Sequence, residues 1–151
     1  MPDTTPPDPT HPDPTPRPDA TPNATRSGPG RLLIAVYGIF AIAATARSAV
    51  QIATRFGEAP VAYLLSALAA VVYVLATVTL AVGSRGSRRV AFLACAVELT
   101  GVLVVGAVSL LVPSWFPEAT VWSGFGIGYG FVPLVLPVLG LLWLRHTRSA
   151  G

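Results

Sequence analysis

A chain of 151 residues that is 52% hydrophobic and only 11% charged, with a mean hydropathy of +0.63, lies outside the soluble globular class. A net charge of +3 and a pI near 9.6 do not point to nucleic acid, because every basic residue is Arg and most of them flank apolar runs. The lone Cys95 excludes an intrachain disulfide and any zinc site built on several cysteines, and reads as a small packing residue.

Residues 1–30 form a polar tail in which an imperfect five-residue repeat, PDTTP, PDPTH, PDPTP and, after Arg17, PDATP, can be read. Proline fixes φ and removes the N–H donor, and the repeat has no apolar face to bury, so disorder with polyproline II character is predicted. The tail lacks the charged start and apolar stretch of a signal peptide. Thr5, Thr15 and Thr21 each precede a proline and offer phosphorylation or docking positions, although a solvated spacer explains the tail equally simply.

Residues 31–151 read as an all-α membrane domain. Four apolar runs, near 32–54, 60–83, 90–112 and 124–144, each match the ~20 residues that a helix needs to cross ~30 Å of hydrocarbon. Lipid leaves the edges of an open sheet without partners, and no alternating pattern suggests a barrel, so a bundle of four transmembrane helices is expected. Arg26, Arg31, Arg85, Arg88, Arg89, Arg145 and Arg148 mark one side, against Arg55, Glu58 and Glu118 on the other. By the positive-inside rule, both termini of this multi-pass protein are expected in the cytoplasm, with the domain in the cell membrane.

The first run stays strictly apolar only to Ala46; beyond it Arg47, Gln51, Thr54 and Arg55 recur at helical spacing and form one polar stripe. At ~1.5 Å per residue Arg47 lies roughly 24 Å from the inner boundary. It either snorkels to the outer headgroups or finds an internal partner, and the lean of helical side chains toward their own amino end favours the partner. In the second run Pro60 suits a first-turn position, and Ser66, Tyr73, Thr77 and Thr79 are the polar groups.

The third run carries Glu98, roughly 13 Å deep and so near the midplane. Small residues share its face, Ala91, Ala94 and Gly101 among them, and such a stripe allows close helix approach. A carboxylate there costs ~2.5–3.5 kcal/mol unless it is paired or protonated. Three kinds of partner are available: Arg47 across a depth gap of roughly 10 Å, the hydroxyls of Tyr37 and Tyr73 at better-matched depths, or a carbonyl freed in the fourth helix.

Between the third and fourth runs, Trp115, Phe116 and Trp122 fit an interfacial aromatic belt, with a lid over the outer end as the other use for them. The fourth run opens with Gly124, Gly126, Gly128 and Gly130, whose spacings place two small-xxx-small pairs, Gly124/Gly128 and Gly126/Gly130, for helix packing. No strand or βαβ context accompanies them, so a dinucleotide fingerprint is excluded. Pro133 and Pro137 are expected to kink this helix by freeing the carbonyls of Tyr129 and Pro133. Tyr129 falls level with Arg47, so contact between the two is expected.

The wording RLLIAVYGIFAIAATARSAVQIATRFGEAPVAYLLSALAAVVY, together with ATVWSGFGIGYGFVPLVLPVLGLLWL, resembles small four-helix integral membrane proteins of actinobacteria that are described as uncharacterised. The resemblance covers roughly residues 31–145, with Ala46-Arg47-Ser48-Ala49-Val50-Gln51 its most specific part, and implies four spans without an activity. No Ser–His–Asp, Cys–His or metal-ligand grouping can be assembled, so neither a catalytic residue nor a cofactor is expected. The expected role is a non-enzymatic accessory or scaffold component acting by helix–helix association, with the lipid bilayer and another membrane protein, or a second copy, as partners. The alternative is a small proton-linked transporter using Glu98, with Arg47, Gln51, Tyr73 and Tyr129 completing an intramembrane polar site.

Overall fold

A computed structural model describes residues 28–149. They form α1 (Gly28–Arg55), α2 (Pro60–Val82), α3 (Arg85–Leu111) and α4 (Val132–Ser149), with 3-10 turns at Pro113–Trp115 and Ser123–Tyr129 between the last two. The architecture is all-α, with α1, α2 and α3 each long and apolar enough to cross a membrane. Ser123–Tyr129 and α4 qualify together as a fourth, broken span, bent by 100°. The expected disordered tail falls outside the described residues except at 28–30, which open α1.

Helical periodicity decides which side of each helix turns inward. On α1 the buried residues Gly30, Leu33, Tyr37, Ala41, Ala44 and Ser48 are spaced three or four apart and so line one face. Large apolar side chains cover the opposite faces, with Ile42 74% exposed, Leu93 62% and Val71 56%. Such a surface suits hydrocarbon, and in lipid an exposed leucine costs nothing. The fold therefore rests on close packing and internal hydrogen bonds rather than on withdrawal of apolar surface from water.

Local signals set the ends of the helices. Pro60 occupies the first turn of α2, where its missing N–H is not needed. Gly83, at φ 67°, closes α2 in the left-handed region, and its N–H bonds the Thr79 carbonyl. The Ser84 side chain then accepts the Ser87 N–H at 3.1 Å and caps α3. Helix α3 consequently begins at Arg85, earlier than the run near 90 suggests, and takes Arg85, Arg88 and Arg89 into its first turns. Arg88 reaches the end of α4, where it donates to the Leu144 carbonyl at 3.2 Å and to the Thr147 hydroxyl. The α2–α3 turn and the end of α4 therefore share one end of the bundle, called here the basic end.

The expected continuous fourth helix over 124–144 is not formed. Gly124, Phe125 and Gly126 take φ of 56°, 60° and 81°, and Gly130 and Phe131 take 62° and 61°. Left-handed backbone cannot continue an α-helix. The α-helix proper starts at Val132, so Pro133 sits in its first turn instead of breaking a longer helix, and Pro137 alone lies inside.

The four glycines do not form the expected small-xxx-small contacts. Gly124, Gly126 and Gly130 supply positive φ, and a Cβ on Gly128 would meet nothing within 4 Å. The segment they shape folds back into the end of the bundle opposite the basic end. There it presses Trp122 and Phe125 against α3.

Candidate buried polar site

Helix α3 is built to receive that returning segment. A Cβ on Gly101 would lie 2.7–2.9 Å from three atoms of the Trp122 ring, and one on Gly106 would lie 2.6 Å from Phe125 Cδ1 and 2.8 Å from its backbone nitrogen. Ala91 and Ala94 are buried on the same helix. Along α3 the space left at Gly101, and at Gly106 further along the helix, is occupied by aromatic rings of the same chain. Trp122, expected in an interfacial belt, is 1% exposed, while Trp115 is 66% exposed.

Two side-chain hydroxyls lock the segment. Ser109 Oγ accepts the Gly124 N–H at 2.9 Å, and Thr120 Oγ1 accepts the N–H groups of Trp122 and Ser123, each at 3.1 Å. These hydroxyls take up donors that irregular backbone would otherwise leave without partners.

Glu98 lies at the centre of the bundle with no exposed surface. Tyr37 of α1 donates its hydroxyl to Glu98 Oε2 at 2.8 Å. The same hydroxyl lies 3.3 Å from Cys95 Sγ. A tyrosine hydroxyl carries one proton, so with that proton given to Glu98 the thiol becomes the donor toward Tyr37. The order is Cys95 to Tyr37 to Glu98. Cys95 is thus more than the packing residue expected of it.

Tyr73 of α2 is fully buried, its ring beside those of Tyr37 and Phe40, and its hydroxyl makes no hydrogen bond within the chain. Glu98 Oε1, Tyr73 Oη and Trp122 Nε1 are all buried without a protein partner. Each is a polar atom held out of water without a partner in the chain, one acceptor and two groups able to donate. Three helices and the returning segment supply these residues: Tyr37 from α1, Tyr73 from α2, Glu98 with Cys95 from α3, and Trp122 from the segment ahead of α4.

Arg47 does not reach this cluster. Its Nη1 donates to the Tyr129 hydroxyl and its Nη2 to the Ala119 carbonyl at 3.1 Å, so the guanidinium ties α1 to the returning segment. Rings bridge the two polar centres. Tyr37 and Tyr73 have centroids 6.2 Å apart, Tyr73 and Phe40 5.6 Å apart, and Phe40 and Tyr129 5.9 Å apart. Tilted and edge-on contacts of this kind are the favoured geometry for aromatic pairs.

Gln51, expected to extend the polar stripe, is half-buried with its Oε1 unbonded and joins neither centre. Thr54 returns its hydroxyl to the Val50 carbonyl. Among the described residues, no three His, Cys, Asp or Glu side chains are grouped so as to hold a metal.

Fold and site together define an α-helical bundle whose helices are long and apolar enough to cross a membrane, with a buried carboxylate inside it. No protein-family model matches the chain, and no curated protein or solved structure matches it.

Proposed function

We propose that the protein is a non-enzymatic, multi-pass component of the cell membrane that accepts a transmembrane helix of another membrane protein in the cleft between α1 and α4. The carrying observation is that cleft. It has a volume of about 760 Å³ and is walled almost wholly by apolar groups, among them Leu32, Val36, Val135, Leu139 and Trp143. Helix α4 packs on α3, and α1 on α2, so the bundle is left open along this line.

The wall runs on α4 from Val132 to His146, which is roughly 20 Å at ~1.5 Å per residue. One leaflet supplies only about half of the ~30 Å hydrocarbon core, so a helix suits a cleft of that length better than a single acyl chain. Arg31, Arg85, Arg88, Arg89 and Arg145 gather toward the basic end, which supports cytoplasmic termini. The small residues of α3, whose pattern alone suggested docking, are used within the chain, so association falls to the α1–α4 side.

A photoreactive amino acid at Leu139, compared with one at Val71 on the exposed face of α2, tests this in native membranes. A discrete protein adduct from Leu139 and only lipid adducts from Val71 are expected. An adduct at twice the mass of the chain would make the partner a second copy, and lipid adducts alone from Leu139 would refute the proposal.

A second reading, a small proton-linked transporter titrating at Glu98, is favoured by the enclosed carboxylate with one oxygen unbonded. Buried Leu33, Leu80, Ala91 and Leu144 toward the basic end give it no polar exit. Proton flux into proteoliposomes that is lost in Glu98→Gln would support the transporter. Absence of flux with the native chain would remove it.

A further inference from the structure

At the end opposite the basic end, a second cavity of about 490 Å³ opens beside the returning segment, within the range of small-molecule sites. Arg47 and Tyr129 line it from one side, and Leu110, Pro113, Phe116 and Ile127 contribute apolar walls. The guanidinium carries five N–H donors, and the two bonds on the page use two of them. Both acceptors are neutral oxygens, so no carboxylate is hydrogen-bonded to the guanidinium. Glu118 adjoins Ala119 in sequence, and with Glu58 and Arg55 it shares the surroundings of Tyr63 with Arg47, but the two bonds of the guanidinium go to Tyr129 and Ala119.

Tyr129 accepts from Arg47, which turns its own O–H proton away from the guanidinium and makes it a second donor at the same wall. Ser109, Thr120 and Ser123 also line the cavity, but their hydroxyls are engaged with backbone and with one another. They therefore fix the shape of the wall more than its charge.

We infer that this cavity binds the anionic head of an amphiphile, a carboxylate or phosphate carried on an apolar chain, with Arg47 and the Tyr129 hydroxyl as its donors and Leu110, Phe116 and Ile127 against the chain. The chemistry follows from the lining. A planar guanidinium matches a two-oxygen anion, and a site partly shielded from water strengthens that contact over its value at an open surface. The apolar walls reject a fully hydrated ion such as free phosphate. Leu110 and Ile127 are 63% and 64% exposed, so the cavity opens sideways along the apolar surface of the bundle, the direction from which an amphiphile in a leaflet arrives. The site does not depend on which protein fills the α1–α4 cleft.

Two sources share this chemistry, the phosphate head of a membrane lipid and a free fatty-acid-like carboxylate. The full-length protein, reconstituted in phosphatidylcholine vesicles, is titrated with 11-(dansylamino)undecanoic acid and, separately, with its methyl ester, each corrected for protein-free vesicles. Saturable binding of the acid is expected, with the ester at least tenfold weaker and Arg47→Gln lowering the acid to the level of the ester. Adding phosphatidylglycerol to the vesicles weakens the acid tenfold or more if a lipid head is the natural occupant, and leaves it unchanged if a free amphiphile is.

No saturable binding of the acid, equal binding of acid and ester, or undiminished binding to a folded Arg47→Gln protein would overturn the inference. Where Arg47→Gln fails to fold, Tyr129→Phe removes the second donor and is expected to weaken the acid several-fold without weakening the ester. Equal binding of the acid to Tyr129→Phe and the native chain would then count against the site.

Discussion

Gly106→Ala isolates the contact that seats the returning segment on α3. In an exposed helix interior, replacing glycine by alanine stabilises by roughly 0.5–1 kcal/mol, because glycine loses more backbone freedom on folding. At position 106 the new Cβ would lie 2.6 Å from Phe125 Cδ1 and 2.8 Å from the Phe125 backbone nitrogen. A ring can rotate away. The nitrogen cannot move far, since the preceding residue is held through the Gly124 N–H to Ser109 Oγ at 2.9 Å.

Overpacking of this kind costs ~1–3 kcal/mol, so after the propensity gain a net loss of about 1–2 kcal/mol is expected. Gly86→Ala on the same helix is the control, because its Cβ meets nothing within 4 Å and should gain the propensity term alone. Equilibrium unfolding in mixed micelles with rising dodecyl sulfate, followed by helical circular dichroism, measures both. A Gly106→Ala protein as stable as Gly86→Ala would refute the packing of Phe125 on α3. Phe125→Ala in the Gly106→Ala background should restore only part of the loss, since the backbone nitrogen remains in the way.

Three further outcomes follow from the core. A Cβ on Gly140 would lie 2.9 Å from Cys95 Sγ, so Gly140→Ala is expected to destabilise by about 1–2 kcal/mol, and less in a Cys95→Ala background. A double-mutant cycle with zero coupling would contradict that contact. Tyr37→Phe leaves Glu98 Oε2 without its donor and should cost ~1–3 kcal/mol in the same unfolding assay; a neutral effect would remove Tyr37 as the partner of Glu98. Arg88→Ala frees the Leu144 carbonyl and Thr147, so amide exchange over residues 143–147 should accelerate while α2 is unaffected, and unchanged exchange there would count against the tie.

The parts of the fold that follow from regular periodicity could be read from the chain. Hydrophobic length fixes α1, α2 and α3, and depth along a helix separates Arg47 from Glu98 and pairs Arg47 with Tyr129. The fourth apolar run does not form one continuous helix, because apolar content alone does not specify helical backbone. Glycines at 124, 126, 128 and 130 alternate, and a period of two cannot line one helical face, which is the signal that the segment is not α-helical.

Trp122 looks interfacial in the sequence for a similar reason, since composition cannot tell an aromatic anchor from one folded inward. The Thr120-Val121-Trp122-Ser123 turn, in which a hydroxyl caps the following N–H groups, is the local mark that the chain reverses there. Cys95 and Phe40 gave no sign in sequence of their places beside Tyr37 and between Tyr73 and Tyr129. Those roles depend on how the helices cross.

The inward fold of the 120–131 segment supports the buried carboxylate and the Arg47 cavity alike, and Trp122 reports on it directly. The chain holds three tryptophans, so Trp115→Phe with Trp143→Phe leaves Trp122 as the sole indole emitter. In vesicles, its fluorescence is expected to resist both aqueous iodide and lipids brominated along the acyl chain, as befits a side chain that is 1% exposed and packed on Gly101. Strong quenching by iodide would place Trp122 in water, and strong quenching by brominated lipid would place it against the acyl chains. Either result would contradict the fold of the segment on which the account rests.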